Sequence, residues 1–335
     1  MNTYAGIYLT DTFDMTSALS LTASGRYNWA WENLTDNLGT GLTGNHQYHR
    51  FNPAFGGTYK IATGVTAYAN YAESNRVPSA AELSCASPTQ ACSLASFFVA
   101  DPDLSQVVAH TYETGLRGGF KPDSASQFQW NAGIFRTDIN NDIIEEATSS
   151  IGRGFFQNDG NTRRQGLETG ASYQTTRWRL FLDYSLVAAT FQSFLTLNSP
   201  FSPSADSSGH IQVAPGDILP SVPKHRVKLG ADYWITEKWA FGASWNLVGS
   251  QYLVGDESNQ NRQVAGYGVV GLHSEYRIKD WLSAYGSIEN LLDHRYEVSG
   301  TYTNDSGLPG VTGGNTATYT PAPPFGGWLG LRAQL

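Results

Sequence analysis

The chain has 335 residues, 40% of them hydrophobic and 13% aromatic, with a formal net charge of −8. Mean hydropathy is −0.32, and no run of about 18 apolar residues occurs, which excludes a membrane-spanning helix but not a spanning strand, since that needs only about 9–11 alternating residues. Lys and Arg number 21 against 29 Asp and Glu, with no basic stripe, which argues against nucleic acid as a partner.

The chain alternates. In 19–31 the odd positions Leu19, Leu21, Ala23, Gly25, Tyr27, Trp29 and Trp31 oppose Ser20, Thr22, Ser24, Arg26, Asn28 and Ala30, which is the period of a strand with one oily face. The same pattern lines up Phe128, Trp130, Ala132 and Ile134, then Trp178, Leu180, Leu182, Tyr184 and Leu186, then Val227, Leu229, Ala231, Tyr233 and Ile235. About thirteen strands are predicted in chain order, at 3–13, 17–31, 47–60, 64–76, 107–121, 126–138, 154–174, 177–191, 223–236, 238–251, 263–278, 281–296 and 323–335. No convincing helix longer than a turn or two appears. Short turns near 14–16, 60–63, 121–125, 174–176, 236–237 and 279–280 alternate with long polar stretches near 32–46, 77–106, 139–153, 192–222, 252–262 and 297–322.

Tight turns on one side and long loops on the other are the arrangement of an all-β, antiparallel, up-and-down transmembrane barrel of the outer membrane. In lipid every backbone amide must be paired, so such strands close on themselves. Leu19, Leu21, Ala23 and Tyr27 are then expected to face lipid, and Ser20, Thr22, Ser24 and Arg26 a wet lumen. Tyr27, Trp29, Trp178, Trp239, Trp281 and Trp328 are expected in the interface girdles. Bacterial single-chain barrels carry even strand numbers. Thirteen strands, together with no basic n-region or apolar h-region after Met1, lead us to expect a piece of a larger barrel. Cys85 and Cys92 lie close together in a Pro/Ser-rich loop and read as a disulfide of an oxidising compartment. Six residues between them and no other Cys make poor zinc spacing.

Four stretches resemble the C-terminal part of TonB-dependent outer-membrane receptors. "YANYAESNRVPSAAEL" carries Arg76, Pro78, Ser79, Glu82 and Leu83, and "AHTYETGLRGGF" carries Glu113, Gly115 and Arg117. "NDGNTRRQGLETGASY" carries Asn158, Gly160, Gly166 and Glu168, and "SIENLLDHRYEVSGTY" carries Asn290, Leu291, Leu292, Asp293 and Tyr296. They occur in the family's order and cover most of the chain. The resemblance implies a barrel of about 22 strands around an N-terminal plug, of which residues 1–335 would be the C-terminal wall without plug or first strands. It implies uptake of a scarce ligand, most commonly a ferric siderophore, with the TonB complex pulling on the plug. Haem, cobalamin, other metal chelates and glycans are the other cargoes. Outer-membrane lipid and the barrel-assembly machinery are the further partners. The chain departs from the family at its end, which is Leu335 rather than an aromatic residue.

Loop aromatics and arginines suit an anionic chelate. The candidates are Tyr48, His49 and Arg50 in the first long loop, Phe97 and Phe98 in the Cys loop, Phe155 and Phe156, Arg163 and Arg164, and Phe191 and Phe194. Arg76 is read as a structural anchor. Arg26, Glu113, Arg117 and Glu168 face the lumen in this register and are expected to contact the plug or one another. Glu145 and Glu146 read as solvated loop acids, and the seven His are scattered, so no metal site or cofactor is expected. No nucleophile motif frames His210 in its Ser/Asp-rich loop, so an enzyme is not expected. A plugless channel of about fourteen strands, or a non-functional receptor fragment, is the alternative.

Overall fold

The computed structural model describes residues 2–35, 43–84, 92–93, 104–147, 153–304 and 317–334. The order is β1 (Asn2–Asp14), β2 (Leu19–Leu34), β3 (Gly44–Ala62), β4 (Val65–Arg76), α1 (Ala80–Ser84), β5 (Cys92–Ser93), β6 (Val107–Phe120), β7 (Gln127–Asn140), β8 (Ile143–Ala147) and β9 (Arg153–Asn158). Then come β10 (Thr162–Gln174), β11 (Trp178–Phe191), β12 (Leu195–Asn198), β13 (His210–Val213), β14 (His225–Thr236), β15 (Trp239–Val248), β16 (Tyr267–Lys279), β17 (Leu282–Glu289), β18 (Glu297–Tyr302), β19 (Ala317–Pro321) and β20 (Gly326–Ala333).

One thirteen-stranded sheet holds β1-β2-β3-β4-β6-β7-β10-β11-β14-β15-β16-β17-β20, each strand beside the next in sequence. All thirteen predicted wall strands are present. Tight turns lie along one edge. Gly64, at φ 77°, makes one of them, and a Cβ there would stand 2.4 Å from the Gly119 oxygen. The long connections gather at the other, apical edge, where they build a β12–β13 pair, a β18–β19 pair and a β5–β9–β8 sheet. Among the described residues no ladder joins β1 to β20, so the thirteen strands form an open wall.

The wall has little core of its own. Leu21, Phe55, Leu116, Ile134, Leu180, Leu182, Trp245, Leu329 and Leu331 are exposed on one face. The opposite face carries hydroxyls, amides and charges, with Thr12 bonded to Thr22 at 2.9 Å and Thr10 to Ser24 at 2.8 Å. Polar inside and apolar outside is the inverse of a soluble barrel and the pattern of a membrane one. The buried apolar residues sit instead in the apical loops and at the apical ends of strands such as β6 and β11. Phe191, Leu195, Leu197, Ile211 and Val213 form one cluster, Leu83 and Leu104 a second, and Leu253, Val264 and Tyr302 a third.

Three sequence expectations are corrected. The strand predicted at 154–174 is two elements, because the Asn158 amide turns aside to bond Ser105 N (2.7 Å), Ser105 O (3.1 Å) and Asn141 O (2.7 Å). Gly160, at φ 79°, then restarts the chain as β10. The strand predicted at 281–296 ends at Glu289, since Asn290 and Asp293 take φ of 49° and 48°. Trp328 is not on the girdle face: it pairs with Ser287, which pairs with His273, whereas Leu329 carries the apolar face.

Candidate functional site

Arg26, Glu113, Arg117 and Glu168 share the polar face of the sheet. Glu113 accepts from Tyr68 Oη at 2.9 Å and Asn70 Nδ2 at 3.3 Å, and the Arg117 guanidinium stands 6.0 Å over the Tyr68 ring. Together with Thr12, Thr22 and Ser24 they line a concavity of about 630 Å³. Glu168 and Asp183 line a second, of about 460 Å³, with Arg226 and Lys228. Arg26 donates to Asn28 Oδ1 at 2.6 Å and lies 5.9 Å from the Tyr8 ring centre. The sheet thus presents a continuous mixed-charge inner surface.

The loop candidates divide. Tyr48, His49 and Arg50 are in β3, not in a loop, because that strand begins at Gly44. Their polar ends are engaged: Tyr48 donates to Leu104 O (2.9 Å), His49 Nδ1 lies 3.0 Å from Tyr27 Oη, and Arg50 meets Glu73 at 2.6 Å. The β3–β4 ladder ends at Ala54–Ala72, and beyond it side chains bridge the strands. Asn75 Oδ1 accepts from Asn28 at 3.1 Å and Asn52 at 2.6 Å. Phe155 and Phe191 are each 2% exposed and serve loop packing, and Phe156 packs on Leu83 and Leu104. Phe194, 83% exposed, is free to meet a ligand. Arg163 pairs with Asp138 at 2.6 Å, and Arg164 lies 3.6 Å from Asp142. Phe97, Phe98 and Cys85 lie outside the described residues, as does the Cys92 side chain, and the disulfide with them.

Each motif has a local reason. Ser79 Oγ accepts from Glu82 N (3.2 Å) and Glu82 accepts from Ser79 N (2.7 Å), a capping box that starts α1 directly after Pro78. Arg76 then grips both Glu82 oxygens, at 3.0 and 2.7 Å. Burial opposes the charge on Glu82, but Arg76 and Ser79 outweigh it and hold the carboxyl below its usual range. Leu83, fully buried, plugs the chain into the loop core. Glu82→Ala is expected to weaken this anchor by about 1 kcal/mol, read as faster amide exchange across 79–84 with the wall unchanged. At Gly166 a Cβ would stand 1.8 Å from Leu186 O, so no side chain fits. Asn290 Nδ2 bonds His294 O (2.9 Å) and Pro323 O (3.2 Å), and Asp293 Oδ1 accepts from Phe325 N (3.0 Å). That pair stitches the end of β17 to the start of β20. Leu291 N bonds Val270 O at 2.9 Å, and Tyr296 packs on Tyr267 with ring centres 4.2 Å apart.

Sequence reasoning missed the polar hub of the apical loops. Asp256, with no exposed surface, accepts from Gln260 N (3.1 Å), Asn261 N (3.0 Å) and Asn261 Nδ2 (2.8 Å). Asn259 exchanges bonds with Ile218 at 2.5 and 2.9 Å, and Ser199 donates to Gly255 O at 2.7 Å. Glu146 is buried rather than solvated, accepting from Asn198 N (2.7 Å), Asn198 Nδ2 (3.0 Å) and Gln157. Burial raises its pKa, Asn198 opposing. Burial pushes Glu257 up to about 7, with Asp256 and Glu146 adding to the rise. The only hint in the sequence was a run of turn-forming acids and amides, 255–261. Among the described residues no group of His, Cys, Asp or Glu is placed to hold a metal ion.

A polar face, an apolar face and folded loops on one rim are the arrangement of a membrane β-barrel wall. The chain belongs to the family described as TonB dependent receptor-like, beta-barrel, matched over residues 1–291. These are transport receptors rather than enzymes, β-barrels of the Gram-negative outer membrane. A curated relative, the heme/hemopexin utilization protein C of Haemophilus influenzae (strain 86-028NP), is 25% identical over 270 residues, covering 74% of this chain and 35% of its own. The siderophore receptor PiuA from Acinetobacter baumannii superposes with a TM-score of 0.69 at 18% identity, over 99% of this chain and 43% of its own. The ferric-catecholate import receptor Fiu from E. coli K12, in its closed form, gives 0.65 at 22%, over 98% and 44%. The chain therefore spans less than half the length of these relatives.

Proposed function

We propose that these strands are part of the wall of an outer-membrane receptor that takes up a scarce iron complex, a ferric siderophore first, on energy delivered by the TonB complex. The observation that carries this reading is the apical layer. Segments 191–225, 249–266, 296–304 and 317–321 pack into one layer with its own apolar cores, which suits ligand capture better than an open pore. The unpaired edges of β1 and β20 support a wall completed by further strands of the receptor, around a plug met by Glu113, Arg117, Glu168 and Arg26. Outer-membrane lipid and the barrel-assembly machinery are the remaining partners. Phe194, and Arg164 at the apical start of β10, are the residues we assign to ligand contact. Haem is the second reading, because the curated relative is named for heme utilization.

The test is uptake of radiolabelled iron, as ferric siderophore and as haem, by cells carrying the full-length receptor. Uptake that stops when the proton gradient is collapsed supports the reading. Steady conductance in planar bilayers with gradient-independent uptake would replace it with a diffusion channel.

A further inference from the structure

Three tyrosine–histidine pairs repeat one geometry. Tyr27 Oη and His49 Nδ1, Tyr71 Oη and His110 Nδ1, and Tyr184 Oη and His225 Nδ1 are each 3.0 Å apart. Their rings are near-parallel, at 9°, 23° and 15°. In each case the histidine stands two residues apical to the tyrosine's cross-strand partner, which is Phe51, Tyr112 or Val227. This is the diagonal of an antiparallel pair. All six side chains share the face of Leu21, Phe55, Leu116 and Leu182, not the lumen face.

The three pairs also share a height. His49 lies 13 residues from Ala62 at the turn end of β3, His110 10 from Phe120, and His225 11 from Thr236, by subtraction along each strand. A strand tilted by about 40° climbs about 2.5 Å per residue, so the histidines stand about 25–33 Å above the turns, and Tyr27, Tyr71 and Tyr184, counted in the same way from Leu19, Val65 and Trp178, about 15–20 Å. The pairs thus straddle the top of the apolar band of an outer-membrane barrel, about 25 Å. Register gives the same result. From the row of Phe55, Tyr71, Tyr112, Arg136, Gln165 and Ala188, His49 is six residues up, His110 two up and His225 two down. A fall of eight residues across six strands corresponds to a tilt of ~42°, inside the range of closed barrels. With that tilt the three pairs form one belt at the upper edge of the band.

At that level the far ring nitrogen, Nε2, takes no protein partner in any of the three among the described residues. With the phenol donating to Nδ1, His49 and His225 carry their proton on Nε2. At His110 the Tyr71 hydroxyl donates to Glu73 Oε1 at 2.8 Å, and Glu73 also stands 3.7 Å from Nδ1. Arg50, which pairs with Glu73, and the Arg136–Asp138–Arg163 group are the other charges around that site.

We propose that His49 and His225, each oriented by its tyrosine, donate hydrogen bonds from Nε2 to lipid phosphate groups of the outer leaflet, with His110 in the same belt. The proposal rests on the outer-membrane reading. Its test is native mass spectrometry of the full-length receptor in detergent, with lipid A bearing its phosphates and with dephosphorylated lipid A. Wild type is expected to retain the phosphorylated form preferentially. The triple variant H49Q/H110Q/H225Q should lose that retention roughly tenfold and hold the dephosphorylated form as before. Y27F/Y71F/Y184F, which removes one oxygen per pair, should fall between and serves if the histidine variant does not fold. Equal retention by folded wild type and variants, or no preference for phosphate in wild type, overturns the proposal. A wild-type protein without the heat-dependent gel shift of a folded barrel would instead overturn the membrane reading beneath it.

Discussion

Leu182→Arg is expected to destabilise the assembled barrel by about 2–4 kcal/mol, the cost of an arginine near the bilayer midplane on a lipid face. Leu182 lies four residues along β11 from Trp178, 46% exposed, between Leu180 and Tyr184 on the outer face. At about 2.5 Å per residue that is roughly 10 Å above the turn edge, close to the middle of the band. The same substitution at Thr22, on the lumen face, meets water and Glu113 across the concavity, and a change under about 1 kcal/mol is expected. Urea unfolding of both variants in lipid vesicles measures the contrast. Equal costs would mean that the two faces are wrongly assigned.

The second large effect is a loss of loop stability with rising pH. Glu257 sits in the buried junction of the apical loops, outside the spanning strands, with its pKa raised by burial to about 7. An acid whose folded pKa is raised binds its proton more tightly folded than unfolded. Its contribution is therefore fully present below the unfolded value, near 4.5, and is lost as pH rises through 7. The full span is on the order of 3 kcal/mol, and Glu146, raised in the same direction by burial, adds to it. Amide exchange across 251–261 should accelerate between pH 5 and pH 8 far more than exchange in β10 and β11. Glu257→Gln should abolish most of that difference and slow exchange at pH 8. An unchanged pH profile in the variant would show that another group controls the junction.

The wall was legible because lipid and water enforce strict alternation. Trp239–Val248 keeps it over most of its length and Trp178–Phe191 from Trp178 to Leu186 but for Phe181, and turns as short as Ala62–Val65 leave little freedom in register. The motif residues were legible as a resemblance, but not the reasons for them. Arg76 and Glu82 are six residues apart and meet only because Pro78 and the capping box fold the chain back. The apical loops were least legible. Their cohesion comes from contacts such as Glu146 with Asn198 and Asn259 with Ile218, across 52 and 41 residues, which no local period encodes. Tyr48, His49 and Arg50 were placed in a loop because polar residues at a strand's apical end resemble loop residues. Trp328 was placed in the girdle on residue type, although alternation with Leu329 and Leu331 sends it inward.

On this reading the sheet divides lipid from a wet lumen, one residue after the next. Spin labels placed singly at each position from Leu180 to Leu186 in the full-length receptor, in lipid vesicles, test it most directly. Oxygen, which partitions into lipid, should relax labels at Leu180, Leu182, Tyr184 and Leu186. A water-soluble nickel chelate should relax those at Phe181, Asp183 and Ser185. Accessibility to the chelate at every position, or to neither reagent at alternate positions, would contradict it and return the chain to a soluble sheet with a protein core.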